Sequence, residues 1–317
     1  MPMKELGRSG LKLPSIMFGG NVFGWTADTA ASFRLLDALM DAGLNAIDTA
    51  DAYSRWVPGH KGGESEAIMG VWMKERQNRD KVIVATKVGM DLGAGKSGLS
   101  AKRIEYAVEA SLIRLQTDYI DLYQAHKDDE ATPLEETLEA FGKLVKAGKV
   151  RVLGASNYSA PRLAEALALS EKLGLPRYES LQPHYNLAER AVFEDALGPL
   201  CREKQVGVIS YYSLASGFLS GKYRSAADAQ NKARSAGVQK YLNEKGFALL
   251  KVLDAQAARL NATPAQIALA WLIARPEVTA PIASATSLEQ LQDLAKASCL
   301  NLDAEAIQAL DAASAGF

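Results

Sequence analysis

Cysteine and histidine are scarce in this chain, and their scarcity excludes two kinds of site. The 317 residues include 2 cysteines and 3 histidines. Cys201 and Cys299 are too few and too far apart in the sequence for a disulfide framework or a thiolate metal centre. The histidines are dispersed, and no HExxH or clustered carboxylate pattern accompanies them. The sequence therefore predicts no metal site.

Neither sign of charge is in excess, and long hydrophobic runs are missing. Lysine and arginine number 36 against 37 aspartates and glutamates, which gives a net charge of −1 without a polybasic block. This balance favours neither nucleic acid nor an anionic membrane surface as a partner. The apolar stretches are strand-length, well short of the ~20 residues that cross a bilayer, and no apolar signal core follows residues 1–5. We expect a cytoplasmic protein that acts on a small molecule, and we leave its oligomeric state open.

What the chain does have is a regular alternation of short apolar runs with longer segments of helical periodicity. Helical periodicity covers residues 29–42, 100–115, 134–147, 160–173 and the region around 268–274. A hairpin is predicted around 7–10, and strands near 16–21, 45–49, 82–88, 119–125, 150–156, 180–185, 207–212 and 279–284. About eight βα units, with no linker or change of composition, predict an α/β fold. The specific prediction is a (β/α)8 TIM barrel with an N-terminal β-hairpin, formed by residues 1–317 as one domain.

Two segments interrupt the alternation. Residues 56–63 form a loop containing glycine and proline directly after Tyr53, and residues 222–240 form a long polar stretch after the seventh barrel strand. Both leave the carboxyl ends of strands, where long loops are often functional or mobile. They are candidates to cover a bound ligand, although a tolerated surface insertion explains the second segment equally well.

Four polar side chains stand at or just beyond the ends of predicted strands. They are Asp48, Tyr53, Lys87 and His126. The carboxyl ends of parallel strands share one rim of a barrel, where this type of fold gathers its chemistry. Taken singly, each residue is more often structural, as a strand cap, a half-buried aromatic, a solvated strand end or a core imidazole. Four complementary groups at one rim indicate a catalytic site instead.

A phenol, an ammonium, a carboxylate and an imidazole together suit proton donation to a carbonyl oxygen. Lys87 beside Tyr53 is predicted to favour the phenolate and to lower a phenol pKa that begins near ~10. Asp48 would keep the lysine charged, and His126 would polarise or orient the reacting oxygen.

Five segments carry a family resemblance that extends nearly end to end. They are residues 46–53 (AIDTADAY), 85–87 (ATK), 119–126 (YIDLYQAH), 154–157 (GASN) and 217–223 (GFLSGKY). Together they resemble the aldo-keto reductases, and in particular the bacterial branch related to potassium-channel β subunits. The resemblance implies NADPH-linked reduction of an aldehyde or ketone, with NADH not excluded. It also implies that Tyr53 is the acid, that Asp48 and Lys87 tune it, and that His126 faces the substrate carbonyl.

The resemblance also implies positions for the cofactor. Ser156, Asn157 and Gln182 match residues that bind the nicotinamide carboxamide, Tyr211 matches the aromatic that stacks on its ring, and Gly20 and Asn21 match residues beneath it. The pyrophosphate loop is matched by Leu214, Ser216, Gly217, Leu219 and Lys222. Without the family, strand-end capping accounts for Gln182 and Asn157, and a barrel-layer aromatic for Tyr211.

One segment departs from the family pattern. Residues 282–291, where relatives grip the adenosine 2′-phosphate, contain no lysine or arginine, and Leu294 stands where relatives often have asparagine. Within this segment Ser284, Thr286 and Gln290 are the candidate cofactor contacts. The hydroxyls of Ser284 and Thr286 and the following helix N-terminus can receive a phosphate, and Arg234 in the long loop is a candidate for the missing cation.

Several questions stay open at this point. Phe23 and Trp56 are candidates for the wall of an apolar substrate pocket, although plain packing explains them equally well. A regulatory subunit that senses the cofactor with negligible turnover is an alternative function on the same scaffold. An isomerase or aldolase that uses Lys87 as a Schiff-base amine is another. The sequence does not identify the physiological substrate or the direction of the reaction.

Overall fold

A closed barrel of eight parallel strands lies at the centre of the computed structural model, which describes residues 3–93, 95–230 and 235–317. A two-stranded antiparallel hairpin precedes it, formed by β1 (Met3–Glu5) and β2 (Lys12–Pro14). The barrel strands are β3 (Met17–Gly19), β4 (Ala46–Asp48), β5 (Ile83–Val88), β6 (Ile120–Ala125), β7 (Val150–Ser156), β8 (Tyr178–Gln182), β9 (Gly207–Ser210) and β10 (Val278–Ala283). They follow one another in chain order, and β10 pairs with β3 to close the barrel. The predicted (β/α)8 TIM barrel with an N-terminal β-hairpin is therefore confirmed.

Helices surround the strands. They are α1 (Thr29–Asp41), α2 (Glu64–Arg76), α3 (Ala101–Leu115), α4 (Leu134–Lys146), α5 (Ala160–Leu173), α6 (Gly198–Lys204), α7 (Ser235–Val238), α8 (Glu244–Arg259), α9 (Pro264–Ile273), α10 (Leu288–Ala297) and α11 (Ala304–Ala313). Local sequence explains their limits. The side chains of Asp28, Ser100 and Ser159 accept backbone hydrogen bonds at the starts of α1, α3 and α5. Among the residues described, no helix combines the length and the apolar character that a membrane span needs.

Element limits differ from the sequence predictions mainly where the chain leaves the barrel. The predicted strand 16–21 is shorter, because a 3-10 turn at Gly20–Val22 follows β3 directly. The strand predicted over 207–212 ends at Ser210, and Tyr212 has a φ of 52° that strand pairing does not allow. The long segment after β9 holds short turns at Ala226–Ala229 and Gln239–Tyr241 and the single-turn helix α7, with residues 231–234 outside the described part.

The interior of the barrel is filled by small and branched side chains from alternate strand positions. Ala46, Ala85 and Leu122 belong to one buried cluster, which also includes Leu6 and Leu13 of the hairpin region. The hairpin thus closes the amino-terminal end of the barrel with apolar side chains. A larger cluster fills the space between the strands and the helices.

The same alternation aims polar side chains at the opposite end. Successive side chains of a strand point to opposite faces, so residues two positions apart share a face. Asp48 and Lys87 stand two positions after the interior residues Ala46 and Ala85, and Gln124 stands two positions after Leu122. These polar groups therefore lie at the carboxyl end of the barrel, beyond the buried apolar cluster that fills its interior.

Close packing beside Gln124 requires a glycine at position 154 in β7. A Cβ there would overlap Ser180 Oγ and lie 3.0 Å from Cγ of Gln124. We expect Gly154→Ala to lower the free energy of unfolding by about 1–3 kcal/mol, as overpacked core substitutions do. Gly142→Ala in α4 is a matched control, because its Cβ would meet neighbours only at 3.4 Å and alanine favours a helix by roughly 0.5–1 kcal/mol. Urea unfolding of both variants checks this, and a neutral Gly154→Ala would contradict the packing argument.

Candidate active site

A buried ion pair anchors the site. Lys87 Nζ lies 2.6 Å from Oδ2 of Asp48 and 2.8 Å from the backbone oxygen of Thr49. Both side chains come from neighbouring strands, β4 and β5, and both are buried. Burial alone would lower the pKa of Lys87, but Asp48 and Tyr53 outweigh it and raise that pKa above its ordinary value. The lysine is therefore a fixed cation at neutral pH.

Tyr53 stands next to this pair. Its hydroxyl oxygen is 3.3 Å from Lys87 Nζ, and its side chain keeps partial access to solvent. The predicted lowering of its pKa is wrong. Burial raises the pKa of Tyr53 above its ordinary value because it disfavours the phenolate, and Lys87 opposes this only in part since Asp48 adds negative charge nearby. The phenol consequently stays protonated at neutral pH, which is the form that donates a proton.

His126 completes the group of four. Its ring lies edge-on to that of Tyr53, with 5.9 Å between ring centroids. Burial, together with Lys87 and Lys127, holds the pKa of His126 well below its usual range. Its Nδ1 is buried and has no hydrogen-bond partner among the described residues, while the side chain as a whole is partly accessible. The imidazole is thus neutral and has hydrogen-bonding capacity to spare.

The depressed pKa of His126 gives a test by pH. The unfolded chain protonates this residue near pH 6.5, whereas the folded chain resists protonation, so the unfolded state binds more protons below that pH. The free energy of unfolding of the wild type should therefore fall as pH decreases below about 6.5, relative to His126→Gln. Urea unfolding of both proteins across about pH 5 to 8 measures the difference. Parallel stability curves for the two would contradict a neutral, buried His126.

Two glutamines hold the other oxygen of the Asp48 carboxylate. Gln182 Nε2 donates to Oδ1 at 2.9 Å, and Gln124 Nε2 approaches the same atom at 3.4 Å. Gln182 matches a nicotinamide contact of the family, and in this structure its amide nitrogen is directed to Asp48. Sequence reasoning missed Gln124. Its signal was available, because Gln124 is a polar residue inside a buried strand, two positions before His126 and on the same face.

One hydrogen-bonded group lies beside His126 and consists of Ser156, Asn157 and Tyr211. Asn157 Nδ2 donates to the backbone oxygen of His126 at 2.8 Å and contacts Ser156 Oγ at 3.1 Å. The Tyr211 hydroxyl donates to Asn157 Oδ1 at 2.8 Å. One face of the Tyr211 ring stacks on His184, with 5.3 Å between centroids. The structure therefore brings these three predicted cofactor residues together beside the four catalytic candidates.

The predicted pyrophosphate loop follows Tyr211 and has an unusual backbone. Ala215, Ser216 and Gly217 have positive φ values of 48°, 59° and 96°. The positive φ favours glycine at position 217, where a Cβ would meet mainly the flexible end of the Lys222 side chain, with Nζ at 3.0 Å. Leu214 is half-buried and Leu219 is buried beneath the turn. The loop presents small residues and one lysine at its surface.

The remaining predicted cofactor residues meet at the junction of β10 and α10. Ser284 Oγ donates to Asn21 Oδ1 at 2.8 Å, and Gly20 precedes Asn21 in the turn after β3. Gln290 folds back so that its Oε1 accepts from the backbone N–H of Thr286 at 2.9 Å. Arg234, the predicted cation for the 2′-phosphate, lies outside the described residues.

The two aromatic candidates for the substrate pocket lie in different environments. Trp56 is 46% exposed and lies edge-on to Tyr53, with 5.5 Å between centroids. Phe23 is fully buried and stacks on Phe18 at 5.5 Å. The structure therefore places Trp56 at the rim beside the phenol and Phe23 in the core, so only Trp56 remains a candidate for contact with a substrate.

Two cavities border the segments that carry the four catalytic candidates. One of about 330 Å³ has Asn157, His184 and Tyr211 in its wall. Another, of about 390 Å³, lies outside the barrel between α3 and the loops after β4 and β5. The four catalytic candidates line neither of them. Among the described residues, no cluster of three histidine, cysteine, aspartate or glutamate side chains has the geometry to hold a metal ion.

Comparison with known proteins agrees with the fold and shows the family of the chain. The family model of the aldo/keto reductase family matches residues 15–315, and the chain belongs to this family. It is 36% identical to the uncharacterized oxidoreductase YrpG of Bacillus subtilis, over 98% of this chain and 95% of that protein. It is 33% identical to a probable voltage-gated potassium channel subunit beta of Arabidopsis thaliana, covering 94% and 91%. It is 31% identical to the L-glyceraldehyde 3-phosphate reductase of Escherichia coli strain K12, covering 92% and 86%. Family membership supports carbonyl reduction as the general kind of chemistry.

Proposed function

We propose that this protein catalyses the reversible, NADPH-dependent reduction of an aldehyde or ketone to an alcohol. The observation that carries the proposal is the chain of contacts from Asp48 through Lys87 to the Tyr53 hydroxyl, at the carboxyl end of the barrel. A protonated phenol beside a fixed cation is an acid for a carbonyl oxygen that gains negative charge. We further propose that residues 1–317 act as one domain.

Each side chain has a separate task in this step. The Tyr53 hydroxyl donates its proton to the substrate oxygen, and the ammonium of Lys87 stabilises the phenolate that remains. Asp48 holds the lysine charged and in place, with its second oxygen fixed by Gln182. His126 is neutral, so it can orient the carbonyl oxygen by a hydrogen bond without adding a second cation. In the reverse direction the phenolate accepts the proton of the alcohol.

The residues of this chain fit a nicotinamide dinucleotide. Such a cofactor would supply the hydride for the carbonyl carbon. Asn157, Ser156 and Tyr211 offer amide, hydroxyl and ring surface next to His126. The positive φ turn at Ser216 and Gly217, with Lys222 beside it, suits close approach of backbone to a pyrophosphate. We assign Ser284, Thr286 and Gln290, with Gly20 and Asn21 nearby, to the adenosine and nicotinamide ends as the family does.

Cofactor preference can be measured directly. We expect kcat/KM to favour NADPH over NADH, because the hydroxyls of Ser284 and Thr286 precede the N-terminus of α10 and Arg234 supplies a cation. The experiment compares kcat/KM for the two cofactors with one carbonyl substrate, in the wild type and in Arg234→Gln. Equal values, or values favouring NADH, would overturn the preference and remove the role given to Arg234.

A regulatory subunit is the second candidate, and the identity to a probable potassium channel subunit beta favours it. Such a protein would bind NADPH with negligible turnover. Steady-state oxidation of NADPH with a panel of aldehydes and ketones separates the two functions, since only a reductase consumes cofactor in proportion to substrate. An aldolase or isomerase using Lys87 as a Schiff-base amine is disfavoured, because the raised pKa of Lys87 keeps the amine protonated.

A further inference from the structure

The cavity of about 390 Å³ outside the barrel has a wall of unusual charge. It lies between the loop after β4, the loop after β5 and the outward face of α3, with Asp51, Lys61, Lys96, Arg103 and Arg114 among its lining residues. Arg55 adds a further cation from the segment that contains Tyr53. Five permanently positive side chains thus surround a space that contains one carboxylate in its wall. The volume falls within the roughly 300–1,000 Å³ typical of small-molecule sites.

The two inner arginines are already neutralised. Arg103 Nη2 lies 2.5 Å from Asp51 Oδ2, and both side chains are buried. Arg114 Nε lies 2.7 Å from Oε2 of Glu66, which is buried behind the wall. These pairs fix the inner surface of the cavity. They also leave Arg103 Nε buried without a hydrogen-bond partner among the described residues, although a buried N–H group ordinarily has one.

The three outer cations have no such compensation. Among the described residues, Arg55, Lys61 and Lys96 form no ion pair within 4.0 Å and no side-chain hydrogen bond. Nζ of Lys96 lies 5.7 Å from the centroid of the Tyr106 ring, so this lysine lies against α3. The cavity therefore carries three uncompensated positive charges in its outer wall, whereas Arg103 Nε is buried too deeply to be exposed to it. A dianion is the ligand that supplies both the charge and the hydrogen-bond acceptors.

We propose that this cavity is a binding site for the phosphate group of a small polar molecule, separate from the catalytic site. Phosphate is favoured over a monocarboxylate because it carries up to two charges and has three free oxygens for several donors. The cavity is larger than a phosphate ion, which leaves room for a short, hydrated organic part. The site shares the segment 51–63 with the active site: Asp51 and Arg55 flank Tyr53, whose backbone oxygen accepts from Gly63 N at 2.9 Å.

Isothermal titration calorimetry of the full chain with inorganic phosphate and with glycerol 3-phosphate tests the site, using glycerol and sodium chloride at equal ionic strength as blanks. We expect saturable binding with one site per chain. Tighter binding of the ester assigns the site to phosphorylated molecules, and equal binding assigns it to free phosphate. Lys61→Gln and Lys96→Gln should each weaken binding about tenfold, as expected for loss of one charge-assisted contact. Lys102→Gln, an exposed lysine of α3 outside the cavity wall, should leave the affinity unchanged.

Three results would overturn the proposal. They are no saturable heat with either phosphate, equal weakening by Lys102→Gln and by the two cavity variants, and complete loss of phosphate binding when NADPH is present at saturation. The last would place the phosphate in the cofactor's own site. Because binding is measured without turnover, a protein that failed to reduce carbonyls would still give a clear answer here.

Discussion

Tyr53→Phe is expected to lower kcat by about 10²–10⁴-fold while leaving the Kd of NADPH nearly unchanged, because it removes a general acid and little else. The ring of Tyr53 packs edge-on to Trp56 and His126, and phenylalanine preserves both contacts. The lost hydroxyl is the proton donor of the proposed step, because His126 is neutral and the ammonium of Lys87 is held by Asp48 with a raised pKa. The effect should therefore fall on the chemical step and not on cofactor binding.

A matched control keeps this test specific. Tyr119→Phe removes a hydroxyl at the amino-terminal end of β6, at the opposite side of the barrel from the site. We expect its kcat to equal that of the wild type. Fluorescence titration with NADPH measures Kd for all three proteins, and steady-state kinetics with one aldehyde measures kcat. Near-normal turnover of Tyr53→Phe would remove this residue from the mechanism.

Lys87→Met should have the largest effect on stability as well as abolishing turnover. It leaves the carboxylate of Asp48 buried without its cation, and breaking a buried pair in this way costs about 3–5 kcal/mol. Gln182 and Gln124 still contact Oδ1, but neither supplies a compensating charge. The phenolate of Tyr53 would lose its stabilising partner in the same variant. Stability and activity are therefore expected to fall together.

The double variant Asp48→Asn with Lys87→Met separates the two losses. With neither charge present, most of the free energy of unfolding should return, because a buried neutral pair carries no uncompensated charge. Activity should stay low, since nothing stabilises the phenolate. Urea unfolding and steady-state kinetics of the two single variants and the double variant complete the cycle. If the double variant were as unstable as Lys87→Met alone, the uncompensated Asp48 carboxylate could not be the cause of the instability.

Much of the architecture could be predicted from the sequence, because its signals are local. Alternating β-branched runs and capped helical segments specify βα units, and their number predicts a closed barrel. The strand ends were less certain: whether Tyr211 and Tyr212 continue β9 depends on the backbone turn at Tyr212, which no propensity indicates. Gln124 was missed because a polar residue in a buried strand was not followed to the face that it shares with His126.

The pKa of Tyr53 could not be predicted in sign. Proximity of Lys87 follows from the strand pattern, and it lowers the pKa as expected. The opposing effect of burial depends on how the segment 51–56 folds over the barrel rim, which is a property of the tertiary structure. Phe23 failed as a pocket residue for the same reason, because the turn at Gly20–Val22 directs its ring into the core against Phe18.

The most direct test of the central claim is transfer of deuterium from nicotinamide-deuterated NADPH to a carbonyl substrate, followed by mass spectrometry of the alcohol. The wild type is expected to give an alcohol with one deuterium on the former carbonyl carbon, and Tyr53→Phe to give almost none over the same time with cofactor bound. An alcohol without deuterium, or equal labelling by both proteins, would contradict a hydride transfer that depends on the Tyr53 proton.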